Sequence, residues 1–255
     1  HLVTLDPVAV ELVDDTMIEL ARSIPIFQPT VEEAVRGNPA VLLLVEFAEE
    51  DMAENERRLR QLHGMMGDLG FGWDKGAAWR GGVVDAIDPG MQGRIAEWRK
   101  SGLNIMMSEK SEAKPVSFLE DCAVELKDLA EYTDKLTAIF DRNGVKGTWY
   151  AHASVGCLHV RPVLNMKQAG GAETMRAIAE EAFELVRSFG GSHSGEHGDG
   201  IVRSEFNDRM FGPVLPDLFR QVKAMFDPQG MFNPGKITDA PKMDDRELFR
   251  FAPGY

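Results

Sequence analysis

Cysteine is scarce: two residues in 255, Cys122 and Cys157, fall short of a disulfide scaffold or of a cysteine-bound cluster, and each reads as a small buried apolar residue. Long apolar runs are missing as well. The longest, residues 40–45 with Phe47 just beyond, is far too short to cross a bilayer, and no basic stretch followed by an apolar one opens the chain. Basic residues are outnumbered, 28 Lys and Arg against 41 Asp and Glu. The resulting net charge of -13 argues against a nucleic-acid backbone or an anionic membrane as partner, although a local basic cluster can still hold an anionic substrate. Low-complexity tracts and internal repeats are absent too. These features describe a globular chain, 44% hydrophobic, able to bury a large core as one domain or as a domain with an appendage.

Four of the six histidines lie between positions 152 and 197. Histidine is a poor core filler, so packing does not account for the cluster. In YAHASVGCLHVR, with Val155 and Gly156 as a two-residue turn, the flanking residues form a hairpin in which His152 and His159 are cross-strand partners. Opposite Cβ atoms in such a pair sit about 5 Å apart, close enough for two imidazoles to share an ion. Glu196, in the glycine-rich GSHSGEHGDGIVR, supplies a carboxylate as third ligand, and His197 stands beside it. A hydrogen-bonded surface pair of histidines, with Asp199 as a turn stabiliser, is the competing reading. A one-residue slip in register would put the two histidines on opposite faces.

Elsewhere hydrophobic periodicity predicts helices over 8–23, 50–69, 91–101, 127–143, 172–189 and 216–226. Strands are expected at 41–47 (buried), 82–87 and 115–124, besides the two histidine strands. Strand and helix groups alternate around an inserted hairpin, which predicts an α+β fold: an antiparallel, ferredoxin-like sheet with helices on one face and a C-terminal helical segment.

HxSxGxLHxR at 152–161, SGEHGDGIVR at 194–203 and FDPQGMFNPGKI at 226–237 follow in that order, after KPVSFLEDCAVELKDL at 114–129. This succession resembles the C-terminal substrate domain of FAD-linked oxidases, flavoproteins that include D-lactate, glycolate and D-2-hydroxyglutarate dehydrogenases. GEHGDG and the closing FRFAPGY are most similar to large bacterial members in which the flavin portion is fused to an iron–sulfur region. The resemblance implies a substrate domain over residues 1–240 and a linker over 241–255. It also implies an FAD domain upstream, iron–sulfur motifs downstream and a cytoplasmic enzyme.

For the site, the resemblance implies a divalent metal, zinc, manganese or iron, on His152, His159 and Glu196, with His197 as general base. Arg99 and Lys114 become contacts for the substrate carboxylate, and Asn233 and Lys236 lie toward the flavin. Arg161 stands where many relatives have asparagine, and a guanidinium there suits a second carboxylate. The expected reaction is FAD-dependent oxidation of a D-2-hydroxy acid, preferably a dicarboxylate such as D-2-hydroxyglutarate, to the 2-oxo acid. D-lactate or glycolate oxidation is the near alternative. A metal-dependent hydrolase or a carboxylate-binding module would use the same ligands differently.

Overall fold

A computed structural model describes residues 1–73 and 81–250. Among them are six strands: β1 (Ala9–Asp14), β2 (Val41–Glu46), β3 (Lys114–Pro115), β4 (Cys122–Ala123), β5 (Gly147–His152) and β6 (Cys157–Leu164). The α-helices are α1 (Asp15–Ser23), α2 (Gln28–Ala34), α3 (Met52–Asp68), α4 (Pro89–Lys100), α5 (Gly102–Met107), α6 (Leu129–Arg142), α7 (Gly171–Ser188), α8 (Gly200–Arg203), α9 (Asn207–Phe211) and α10 (Val214–Phe226). Every recorded strand pairing is antiparallel, and the α+β class expected from the pattern holds. The chain forms two compact units, His1–Lys110 with Thr148–Ser154, and Ser111–Gly147 with Val155–Tyr255.

In the first unit β1 runs between β2 and β5, with Ala9 opposite Glu46 and Glu11 opposite His152. The helix expected over residues 8–23 begins only at Asp15. Asp14 ends the strand and caps the helix, its carboxylate accepting from the Met17 amide at 2.9 Å. AVELVD before it forms strand, burying both Val10 and Val13. Burial pushes the Asp14 carboxyl up to about 6, against the lowering pull of the Met17 and Trp149 amides.

Strand β2 is not the fully buried strand expected. It ends the order β2-β1-β5, and Val41 and Leu43 are 47% and 40% exposed. The core of this unit joins Val13 with Met17, Ile18 and Ala21 of α1, Val31 of α2, Met91 and Trp98 of α4, and Ile105 of α5. Each large side chain buried there contributes about 1.5–3 kcal/mol. The expected strand at 82–87 does not form. Its apolar residues Val84 and Ala86 still pack on this core, so the hydrophobic signal was about burial and not about pairing.

In the second unit β6 pairs with β3 through Lys114–Leu164 and with β4 through Cys122–Leu158. The strand expected over 115–124 is thus two short pieces, parted by a bend in which Asp121 takes a left-handed φ of 84°. Helices α6 and α7 bury Leu136, Ile139 and Phe140 and Ile178, Ala182, Phe183 and Val186. The turn before β6 is also longer than the expected two residues: Ala153–Val155 make a 3₁₀ turn, and Gly156 follows with φ 72°. A Cβ at Gly156 would lie 2.1 Å from the Val124 carbonyl, so this turn requires glycine.

Residues beyond α10 dock back onto this unit. Glu205 accepts from Arg176 and from the Met243 amide, both at 2.6 Å, and Met243 is buried. The end of the expected linker, residues 251–255, lies outside the described residues. Among the described residues no helix is long and apolar enough to cross a membrane.

Candidate functional site

Alternation along β6 sends Cys157, His159 and Arg161 to one face. His159 is buried, with Nε2 3.1 Å from Glu196 Oε1. The His197 ring stacks on it, centroids 5.0 Å apart and planes at 24°, while His197 Nε2 stands 3.2 Å from the same glutamate oxygen. The glycine-rich segment therefore brings Glu196 and His197 to His159, three of the residues singled out from the sequence.

A carboxylate not foreseen from the sequence holds that segment. Asp121, fully buried, accepts from the amides of Glu196 and His197 at 2.8 Å each, from Ser194 Oγ at 3.1 Å and from Cys157 Sγ at 3.3 Å. Burial would raise its pKa, but the two amides, the thiol and the hydroxyl outweigh that and hold it below the ordinary carboxylate range. Cys157 answers in the opposite sense: burial and the neighbouring Asp121 push its thiol up to about 12. Both cysteines are free and buried, as expected.

Ligand atoms of Asp121, Cys157, His159 and Glu196 all lie within 4.8 Å of one another, as do those of Glu120, His159 and His197. Chemistry separates them. Asp121 spends its oxygens on the loop, Cys157 stays a thiol, and Glu120 is committed elsewhere. His159 and Glu196 remain, an imidazole and a half-exposed carboxylate, and this donor set fits a divalent cation such as zinc, manganese or iron(II). His197, 46% exposed at the side chain, stands beside them, an imidazole of the kind that can exchange a proton with a bound molecule.

Arg161 meets a carboxylate within the chain. Its guanidinium forks onto Glu120, Nε–Oε2 at 3.0 Å and Nη2–Oε1 at 2.6 Å, with both partners buried. Burial raises the Glu120 pKa, yet Arg161 and Ser117 lower it further, and the net shift is down. Lys114 is half-buried at the start of β3. Asn233, with φ 46°, and Lys236 are exposed, Nζ 3.4 Å from the amide oxygen. An amide and an ammonium of this kind suit flavin carbonyl or phosphate oxygens at the rim of a cofactor, not a complete cradle. Asp199, a turn stabiliser on the competing reading, lies 3.0 Å from buried His193.

The first unit carries the other assigned residues. His152 Nδ1 lies 2.9 and 2.8 Å from the two oxygens of Glu11, and Arg99 Nη2 lies 2.6 Å from Glu11 Oε1. Arg99 Nε also donates to the Tyr150 hydroxyl at 3.0 Å. Burial, reinforced by Glu11, raises the Tyr150 pKa and keeps it a neutral phenol. Glu11 was missed from sequence. Its one signal is an acidic residue inside the apolar run AVELV.

The family model described as "FAD linked oxidases, C-terminal domain" matches residues 3–237. D-2-hydroxyglutarate dehydrogenase of Pantoea ananatis is 34% identical over 92% of the chain and 23% of its own length. The enzyme of that name from Escherichia coli is likewise 34% identical, over 92% of the chain and 24% of its own length. D-lactate dehydrogenase of Archaeoglobus fulgidus is 30% identical over 52% of the chain and 29% of its length. The chain thus spans about a quarter of the length of these relatives. Among solved structures, 4-ethylphenol oxidase from Gulosibacter chungangensis matches 91% of the chain and 48% of its own, with a TM-score of 0.53 and 12% identity, a likeness of fold.

Proposed function

Because the chain belongs to the family of C-terminal domains of FAD linked oxidases, we propose that it is the substrate- and metal-binding part of an FAD-dependent D-2-hydroxy acid dehydrogenase. The preferred substrate is a dicarboxylate of the D-2-hydroxyglutarate type, the activity named for its relatives at 34% identity. The observation that carries this reading is the meeting of His159, Glu196 and His197, with 3.1 and 3.2 Å separating the two imidazoles from one carboxylate oxygen.

His159 and Glu196 hold the divalent ion, and His152 joins them on the strength of its motif. When bound, the ion supplies Lewis acidity to the 2-hydroxyl, and the flavin accepts the hydride from C2. His197 takes the hydroxyl proton on its ring, so that loss of proton and hydride leaves a 2-oxo acid. Arg99 and Lys114 hold the carboxylate next to C2. The distal carboxylate is assigned to Arg161, which is then shared with Glu120. Asn233 and Lys236 contact the flavin rim. An upstream FAD domain, a downstream iron–sulfur region and a cytoplasmic setting belong to the same proposal and rest on the family resemblance, the iron–sulfur region on GEHGDG and the closing FRFAPGY.

In the full-length protein, His159→Ala and Glu196→Gln should lose bound metal and dehydrogenase activity together. His197→Ala should keep the metal while turnover falls about 10²-fold or more, the scale of a lost general base. Metal analysis beside steady-state kinetics on D-2-hydroxyglutarate, malate and D-lactate decides it, and undiminished metal in the first two variants defeats the assignment.

A further inference from the structure

We propose that Glu11 is a positioning residue that holds His152 in the Nδ1–H tautomer, with Nε2 as its ligating atom, and steadies Arg99 for the substrate carboxylate. The inference rests on the reading that His152 ligates the metal and Arg99 binds substrate.

Glu11 sits in the middle of β1 and is 6% exposed, a place where a carboxylate is costly unless it is paired and hydrogen-bonded. Both requirements are met by residues with assigned roles. His152 is its direct cross-strand partner in the β1–β5 register, so the two side chains share one face at short range. Carboxylate oxygens only accept, and both lie within 2.9 Å of Nδ1, so the imidazole proton is on Nδ1. In the neutral ring this leaves the lone pair on Nε2. A carboxylate behind a ligating histidine fixes ring orientation and tautomer and makes the ligand more basic.

The same carboxylate holds Arg99 Nη2 at 2.6 Å, while Arg99 Nε is bonded to Tyr150 at 3.0 Å. Two contacts on different edges pin the guanidinium plane. A single side chain in β1 thereby orients one proposed metal ligand and one proposed substrate contact. A purely structural Glu11–Arg99 pair would stabilise the unit without any preference for a His152 tautomer, and this difference makes the proposal testable.

The test uses the full-length protein labelled with 15N-histidine, with His152 resonances assigned by their loss in His152→Ala. In the metal-free wild type, 15N shifts should report His152 protonated at Nδ1, a result that does not depend on how any Glu11 variant folds. Glu11→Gln should erase that preference, weaken zinc binding about 10- to 100-fold, and raise KM for the 2-hydroxy acid more than it lowers kcat. Glu11→Asp, which keeps a carboxylate, should recover part of each loss.

An Nε2–H tautomer in the wild type overturns the proposal. So does a folded Glu11→Gln protein with unchanged tautomer and zinc affinity. Full zinc affinity in His152→Ala removes the ligand assignment itself, and with it this inference; loss of zinc there with no effect of Glu11→Gln removes the inference alone.

Discussion

Replacing Asp121 by asparagine keeps side-chain volume and the left-handed backbone, which asparagine tolerates as well as aspartate. What changes is the acceptor count. Oδ1 receives the Glu196 amide at 2.8 Å and the Cys157 thiol at 3.3 Å; Oδ2 receives the His197 amide at 2.8 Å, the same Glu196 amide at 3.0 Å and the Ser194 hydroxyl at 3.1 Å. An amide group offers one oxygen and one NH2: with NH2 at the Oδ2 place the His197 amide loses its acceptor, and with NH2 at the Oδ1 place the Glu196 amide meets a donor and keeps only its longer bond, a cost of about 1–3 kcal/mol. The bond that survives loses its charge assistance, about 1 kcal/mol more. The expected destabilisation is therefore about 2–4 kcal/mol, concentrated in the segment carrying Glu196 and His197. Hydrogen exchange should show lost protection at amides 196 and 197, and metal affinity should fall with it. Because the Asp121 pKa is depressed in the fold, its stabilisation is present above the unfolded value of about 3.9 and is lost as pH falls through the folded value. The wild-type and variant stabilities should thus differ at neutral pH and converge in acid. Unchanged protection at the two amides, with stability altered by less than about 0.5 kcal/mol, the ordinary surface value, would refute the reasoning.

Asp14 titrates in the opposite sense: with its pKa pushed up to about 6, the fold gains from its protonated form, and that gain disappears as pH rises from about 4 to 6. The loss is about 3 kcal/mol at most. Thermal unfolding of the wild type should fall over that window relative to Asp14→Asn, and parallel pH profiles would contradict it. Gly156→Ala places a Cβ 2.1 Å from the Val124 carbonyl at a φ of 72°, and should destabilise by at least about 2 kcal/mol in urea unfolding; a neutral substitution would show that the turn can shift away from Val124. Arg161→Asn leaves Glu120 buried without its fork and should cost about 3–5 kcal/mol. If Arg161 also meets the distal carboxylate, kcat/KM for D-2-hydroxyglutarate relative to D-lactate should drop about tenfold to a hundredfold. An unchanged ratio would confine Arg161 to holding Glu120.

Residues whose chemistry recurs at fixed spacing were legible in the sequence. His159, Glu196 and His197 stand out as side chains that packing does not explain, and the structure brings them together. Helices α3, α4, α6, α7 and α10 follow from their apolar periodicity, to within a few residues. The boundary at Asp14 was not legible, because AVELVDDTMIELARS has apolar residues at intervals that suit a helix throughout; only tertiary pairing of Val10 and Val13 with neighbouring strands makes its first half extended. Glu11 and Asp121 were hidden for a related reason. Neither has a partner at a recurring spacing, and the role of each comes from residues 141 and 75 positions away. Arg161 was legible as a carboxylate binder but not in its partner, since nothing in the local sequence points at Glu120.

Asp121 grips the Glu196–His197 segment by its main chain. Amide hydrogens are common to every residue except proline, so the anchor is indifferent to which side chains the two positions carry. Substitutions at 196 and 197 can therefore change what the site binds or which proton it moves while the loop keeps its place, and new chemistry can be explored there without first giving up the fold.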